Sequence, residues 1–88
     1  MAHVRFSNSP PLYDSDRDIV IFVAYVEQTT IRCAISGEAL RDHFEKNTQK
    51  PCKTFLRNRV PIEHIAKRLI LQQRFETDGS ILIRTADC

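Results

Sequence analysis

The side chains that most often bind metals or act as nucleophiles, cysteine and histidine, are few and widely separated in this sequence. The chain has three of each: Cys33, Cys52, Cys88, His3, His43 and His64. Structural zinc sites are usually built from two closely spaced pairs of such residues, each pair held by one turn. Because neither a C-x-x-C nor an H-x₃-H spacing occurs, the sequence predicts no metal and no cofactor.

The acidic residues also lack the arrangement that catalysis or calcium binding requires. Asp42 and His43 are adjacent on a predicted helix, where neighbouring side chains point about 100° apart and do not pair. The alternation of Asp14, Asp16 and Asp18 resembles the start of a calcium loop, but the glycine and the distal glutamate are missing. No glycine-rich phosphate loop is present. The sequence therefore favours a protein that is not an enzyme.

The cysteines and the apolar runs together indicate the expected compartment. An odd number of cysteines without close spacing favours reduced thiols. Cys52, near a predicted helix start, is either a reactive thiol of lowered pKa or, as is more common, an incidental cysteine. The longest apolar run, Ile19–Val26, is too short to span a bilayer. The first residues lack the apolar segment of a signal peptide. We therefore expect a cytoplasmic protein that does not bind membranes.

Positive charge is concentrated in one part of the chain. The formal net charge is +2, but residues 52–74 contain six Lys and Arg side chains against a single glutamate. Clustered basic residues can release counterions from a phosphate backbone or attract an acidic protein. The pI of about 8.6 lies below the strongly basic range of dedicated nucleic-acid-binding domains. A basic face that is simply solvated is therefore also consistent with this pattern, with Glu63 and Lys67 as an ordinary helical ion pair.

The segment Pro61–Arg74 has the clearest helical pattern. Its initial proline suits a first helical turn, where N–H groups have no helical partner anyway. At helical spacing its apolar side chains share one broad face: Ile62, Ile65, Ala66, Leu69 and Ile70. The opposite face is basic and carries one leucine, Leu71, about 180° from Ile62. This leucine is either scattered apolar surface or an anchor of a contact.

The candidate partner surface combines the basic helical residues with this leucine. Its members are Lys53, Arg57, Arg59, Lys67, Arg68, Leu71 and Arg74. We expect a binding or regulatory module whose partner is a nucleic acid or an acidic protein. The alternative is a self-associating domain, such as a homodimer, without nucleic-acid binding.

The remaining patterns predict a single α+β domain over residues 1–88. A hairpin of Ile19–Val26 and Thr29–Ser36 is expected from β-branched and alternating residues, and Ser36 is a good N-cap for the next helix. The predicted elements are strands at 4–6, 19–26, 29–36 and 80–85, helices at 37–45, 52–59 and 61–74, and a frayed end at 86–88. The expected architecture is an antiparallel sheet of three to four strands with three helices on one face, in the order β-β-β-α-α-α-β.

Two stretches resemble a known family. The strand-to-helix junction C-A-I-S-x-E-A-L, residues 33–40, and the tail R-F-E-x-D-G-S-I-L-I-R-T, residues 74–85, are its most distinctive parts. Together with Phe6 and Tyr13-Asp14, they resemble the small bacterial domain-of-unknown-function family numbered 1488. The resemblance covers nearly the whole chain and implies a single α+β domain in a bacterial cytoplasm. It implies no activity and no site residues.

Overall fold

The computed structural model describes residues 3–47 and 49–88, so residues 1, 2 and 48 of the predicted domain lie outside the described part. The strands are β1 (Val4–Phe6), β2 (Leu12–Asp14), β3 (Ile19–Val26), β4 (Thr29–Ser36) and β5 (Ile81–Ile83). The helices are α1 (Gly37–His43), α2 (Pro51–Arg57) and α3 (Arg59–Leu71), followed after β5 by a 3₁₀ turn at Thr85–Asp87. This is a small α+β fold, as predicted.

The β3–β4 hairpin is confirmed with the predicted bounds of both strands. The antiparallel register places Val20 opposite Ile35 and Phe22 opposite Cys33. Because side chains alternate between the faces of a strand, these pairs lie on one face, and all four side chains are buried. The hairpin thus supplies the wall against which the rest of the chain packs.

The sheet is mixed, so the prediction of an antiparallel sheet was wrong in one strand. β5 pairs with β4 in parallel, with Cys33 opposite Ile81 and Ile35 opposite Ile83. Between β4 and β5 the chain passes through all three helices. A long helical crossover returns the chain to the starting end of the sheet, and the next strand then runs in the same direction.

The sheet has five strands rather than the predicted three to four, because Leu12–Asp14 forms a short strand that was not predicted. β1 and β2 pair with different halves of β3: Val4 lies opposite Val26, and Leu12 opposite Ile21. The sequence between them contains Pro10 and Pro11, which cannot donate to a ladder. One edge of β3 is therefore covered by two three-residue strands instead of one continuous strand.

All three helices contribute to a core on one face of the sheet. Leu40 of α1, Phe55 of α2, and Ile62 and Leu69 of α3 are at most 2% exposed and belong to the same cluster as the buried hairpin residues. The rings of Phe22 and Phe55 lie 4.8 Å apart, centre to centre. Burial of each large apolar side chain contributes about 1.5–3 kcal/mol to folding, so this cluster is the main source of stability.

The helix ends differ from the predicted ones by a few residues. Ser36 caps α1 as predicted, its hydroxyl accepting the Ala39 N–H at 3.1 Å. α3 begins at Arg59 rather than Pro61, and the proline is tolerated because it lies in the first turn. α3 ends at Leu71 rather than Arg74. Gln73 adopts a left-handed φ of 56° beyond that end.

The end of α3 has the hydrogen bonds of a Schellman cap. The Gln73 N–H donates to the Ile70 carbonyl at 3.0 Å, and the Arg74 N–H to the Leu69 carbonyl at 2.9 Å. Glycine is the usual residue at the left-handed position. Its absence explains why the sequence pattern did not indicate the helix end.

The chain end at 85–87 is ordered into the 3₁₀ turn rather than frayed as predicted. The Arg84 N–H donates to the Asp87 carboxylate at 2.9 Å, and the Asp87 N–H donates to the Arg84 carbonyl at 2.9 Å.

None of the helices in the described residues combines the length and the apolar character that a membrane span requires.

The start of β3 is joined to the start of α1 by a close contact between Asp18 and Gly37. Asp18 has a φ of 52°, and its carbonyl accepts the Gly37 N–H at 2.8 Å. The Tyr13 hydroxyl and the Arg41 guanidinium donate to its carboxylate at 2.7 and 3.1 Å. These hydrogen bonds hold the pKa of the Asp18 carboxyl below its ordinary value. A Cβ atom on Gly37 would lie 2.2 Å from Asp18 Oδ1, so only glycine fits.

We expect Leu69→Ala to destabilise the protein by about 2–5 kcal/mol, because it removes a side chain that is 2% exposed and leaves a cavity. Urea unfolding followed by circular dichroism measures this change. A near-neutral result would contradict the assigned helical phase of α3.

We expect Gly37→Ala to destabilise the protein by about 1–3 kcal/mol, because the new Cβ must displace the Asp18 carboxylate. Asp18→Gly removes that carboxylate and tolerates the positive φ. In this background the cost of Gly37→Ala should fall by at least about 1 kcal/mol. A double-mutant cycle measured by urea unfolding tests the contact, and equal costs in both backgrounds would disprove it.

Candidate functional site

The exposed side of α3 carries a line of four residues with apolar side chains at its two ends and His64 and Lys67 between them. Val60, His64, Lys67 and Leu71 recur at spacings of four, three and four, which places them on one line along a helix. All four are exposed, and Leu71 is 50% exposed. We call these four residues the outer stripe. It contains two members of the predicted surface, Lys67 and Leu71.

The exposed side of α2 has the same mixed character. Three residues of α2 are exposed: Lys53, Leu56 and Arg57. Leu56 and Arg57 lie three and four residues after Lys53, so all three share one side of this helix. In the part of the chain that the structure describes, the side-chain ammonium groups of Lys53 and Lys67 make no hydrogen bond or ion pair. Their charges are therefore available to a partner.

The arginines of the predicted surface are engaged within the chain. Arg57 donates two hydrogen bonds to the Glu45 carboxylate, at 2.6 and 2.9 Å. This pairing lowers the pKa of the Glu45 carboxyl and raises the pKa of the Arg57 guanidinium. Arg68 donates to the Asp87 carbonyl, and Arg74 lies 3.7 Å from the Asp87 carboxylate. Arg57 and Arg74 are therefore paired with carboxylates, whereas Arg68 is bonded to a neutral carbonyl and keeps its charge.

Arg59 was expected to face solvent, and here the interpretation of the sequence was wrong. Its side chain is only 23% exposed. Its guanidinium donates to Glu63 at 2.8 Å and to the Ser7 carbonyl, and its Cζ atom lies 5.7 Å from the centre of the Phe55 ring. Glu63 therefore pairs with Arg59, one turn earlier in α3, and not with Lys67. Arg59 joins α3 to the segment that follows β1.

An apolar groove lies beside the outer stripe, with Leu71 belonging to both. Its volume is about 340 Å³. The lining comes from the β3–β4 turn, the end of α3 and the segment after it: Val26, Thr29, Ile31, Ile70, Leu71, Gln73 and Phe75. Phe75 is 42% exposed. The sequence singled out Leu71, but no local pattern brings Val26 and Phe75 beside it.

Burial raises the pKa of each of the three thiols. Burial raises the pKa of the Cys33 thiol to about 12 and also raises that of the Cys52 thiol, contrary to the lowered value expected at a helix start. Among residues 3–47 and 49–88, no group of three or more His, Cys, Asp or Glu side chains is placed to hold a metal ion.

We expect Arg59→Gln to destabilise the fold by about 1–3 kcal/mol, because it removes two charge-assisted hydrogen bonds from a mostly buried site. Arg57→Gln is the matched control, since its pair with Glu45 is exposed and screened by solvent. Thermal unfolding of the two variants compares them. Equal losses of stability would contradict a structural role that is specific to Arg59.

Comparison with known proteins agrees with the fold. A crystal structure of a protein of unknown function from the DUF1488 family of Shewanella loihica PV-4 superposes on this chain with a TM-score of 0.79. The two are 23% identical, and the match covers 91% of this chain and 90% of the other. No protein with a curated description matches. The model of the family described as "Protein of unknown function (DUF1488)" matches residues 4–83, so the chain belongs to the DUF1488 family.

Proposed function

We propose that this protein is a non-enzymatic binding module, and that the exposed side of its helices binds an acidic, partly apolar segment of another protein. The observation that carries the proposal is the outer stripe, in which His64 and Lys67 lie between the exposed Val60 and Leu71 and which continues into the apolar groove at Leu71. Protein interfaces combine apolar anchors with charged groups at their rim in this way.

The charge of the partner follows from the charge of this surface. Glu63 is the single carboxylate of α2 and α3; its side chain is 19% exposed and is bonded to Arg59. The exposed sides of these helices therefore present the cations Lys53 and Lys67 without an acidic neighbour from α2 or α3. Such a surface attracts carboxylates and repels basic partners.

A protein partner fits this surface better than a nucleic acid. A duplex-binding protein commonly neutralises six or more phosphates, whereas most arginines here are held by carboxylates or carbonyls of the chain itself. Val60, Leu56 and Leu71 are 50–63% exposed and offer nothing to a phosphate backbone. They are the contacts expected of an apolar side chain from a protein.

The groove supplies a place for one bulky apolar residue of the partner. Its volume of about 340 Å³ is bounded by Ile31 and Ile70 below and by the exposed Leu71 and Phe75 at its margin. A second copy of this chain could also use this groove, which is the self-association that the sequence left open. An acidic peptide and a second copy of the chain would differ in how their affinity depends on charge and in the mass of the complex that they form.

We expect a fluorescein-labelled peptide of alternating Glu and Leu residues to bind with an affinity that falls as salt is added. Lys53→Gln with Lys67→Gln should weaken binding by roughly fivefold, because two exposed charge pairs are lost. Leu71→Asp should weaken binding strongly while changing stability by no more than about 0.5 kcal/mol. Fluorescence anisotropy measures binding, and sedimentation shows the mass of the protein with and without peptide.

The matched control is Arg17→Gln with Arg32→Gln, which removes the same charge from the opposite face of the sheet and should leave peptide binding unchanged. Absence of peptide binding at low salt would refute the proposal. Tighter binding to a mixed-sequence DNA duplex would favour a nucleic-acid partner instead. A dimer mass that Leu71→Asp abolishes, without peptide binding, would favour self-association.

A further inference from the structure

The face of the sheet that the helices leave uncovered contains a second concave site. A cavity of about 180 Å³ lies there, and its floor crosses the sheet along one row of paired residues, Ile21, Ala34 and Leu82. Ala34 is the smallest of the three, so the floor dips between its neighbours. Ala34 is only 6% exposed although it lies on the face away from the helices.

The wall of this cavity is a turn held in place by its own hydrogen bonds. The Glu76 N–H donates to the Ser80 carbonyl at 2.8 Å, and the Gly79 N–H donates to the Glu76 carbonyl at 2.9 Å. The Asp78 carboxylate accepts from both the N–H and the hydroxyl of Ser80, at 3.0 and 2.6 Å. A wall with this internal bonding is formed before any ligand arrives, which lowers the cost of binding.

The charges around the cavity leave one positive charge uncompensated. Arg17 and Arg32 line it, and within the described part of the chain neither guanidinium group makes a hydrogen bond or ion pair. Glu76 is neutralised by a bidentate pair with Arg84, at 2.7 and 3.2 Å. Asp78 remains as the single unpaired carboxylate of the lining and offsets one of the two free arginines.

We infer that this cavity binds a small monocarboxylate with an apolar body. A guanidinium group matches the geometry of a carboxylate, and a single negative charge balances the site. The isoleucine, alanine and leucine of the floor provide apolar contact for the remainder of the ligand. The volume lies below the roughly 300–1,000 Å³ of sites for drug-sized ligands, which suits a small ligand.

The experiment is a titration of the ¹⁵N-labelled protein with sodium benzoate, followed through amide chemical shifts. We expect saturable shifts at Ala34, Leu82 and Thr77, and weaker binding of acetate because it lacks the apolar body. Arg17→Gln with Arg32→Gln should weaken benzoate binding by about tenfold or more. Lys53→Gln with Lys67→Gln, on the helical side, should leave it unchanged.

A second variant tests the floor without altering charge. Ala34→Val fills the depression with a residue that suits a strand, and it should weaken benzoate binding while acetate binding changes less. Thermal unfolding verifies that each variant remains folded. The inference is overturned if benzoate produces no saturable shifts at the cavity, if both lysine and arginine variants bind it alike, or if benzylamine or inorganic phosphate binds more tightly. None of these results depends on the peptide binding proposed for the helical side.

Discussion

The register of the β3–β4 hairpin is the constraint on which the other features depend. Pairing Phe22 with Cys33 places one set of side chains under the helices, and the intervening set, including Arg32 and Ala34, on the opposite face. Because the side-chain period of a strand is two, a slip of one residue would bury Arg32 and expose Cys33. The core, the uncovered face and its cavity are therefore consequences of a single pairing.

Local patterns in the sequence predicted the strands and helices whose conformation is determined by their own residues. The hairpin strands carry enough β-branched and alternating residues to fix both of their ends. β2 could not be predicted, because Leu12–Asp14 is a strand only through its pairing with the first half of β3. The direction of β5 is likewise set by the helical crossover. The end of α3 depends on a left-handed Gln73, for which composition gives no signal.

The sequence predicted the positive charge of the candidate site, but it did not predict which of its cations form ion pairs within the chain. The count of basic residues placed positive charge on α2 and α3, and helical phase placed Leu71 on their exposed side. Carboxylates distant in sequence determine which cations remain unpaired. Glu45, for example, forms an ion pair with Arg57. The groove beside Leu71 likewise requires a turn of the sheet 45 residues earlier, at Val26.

The chain pairs most of its arginines internally, which makes the exceptions informative. Exposed charges without partners are common on protein surfaces, and by themselves they indicate nothing. Here two unpaired cations lie beside apolar side chains that are exposed or half-buried: Lys67 next to Leu71 on the helical side, and Arg32 next to Leu82 on the sheet side. A cation at the margin of an apolar depression loses hydration when a ligand binds, and an anionic ligand with an apolar part compensates for that loss. We therefore propose amphipathic anions for both faces, which differ in the size of the ligand that each can hold.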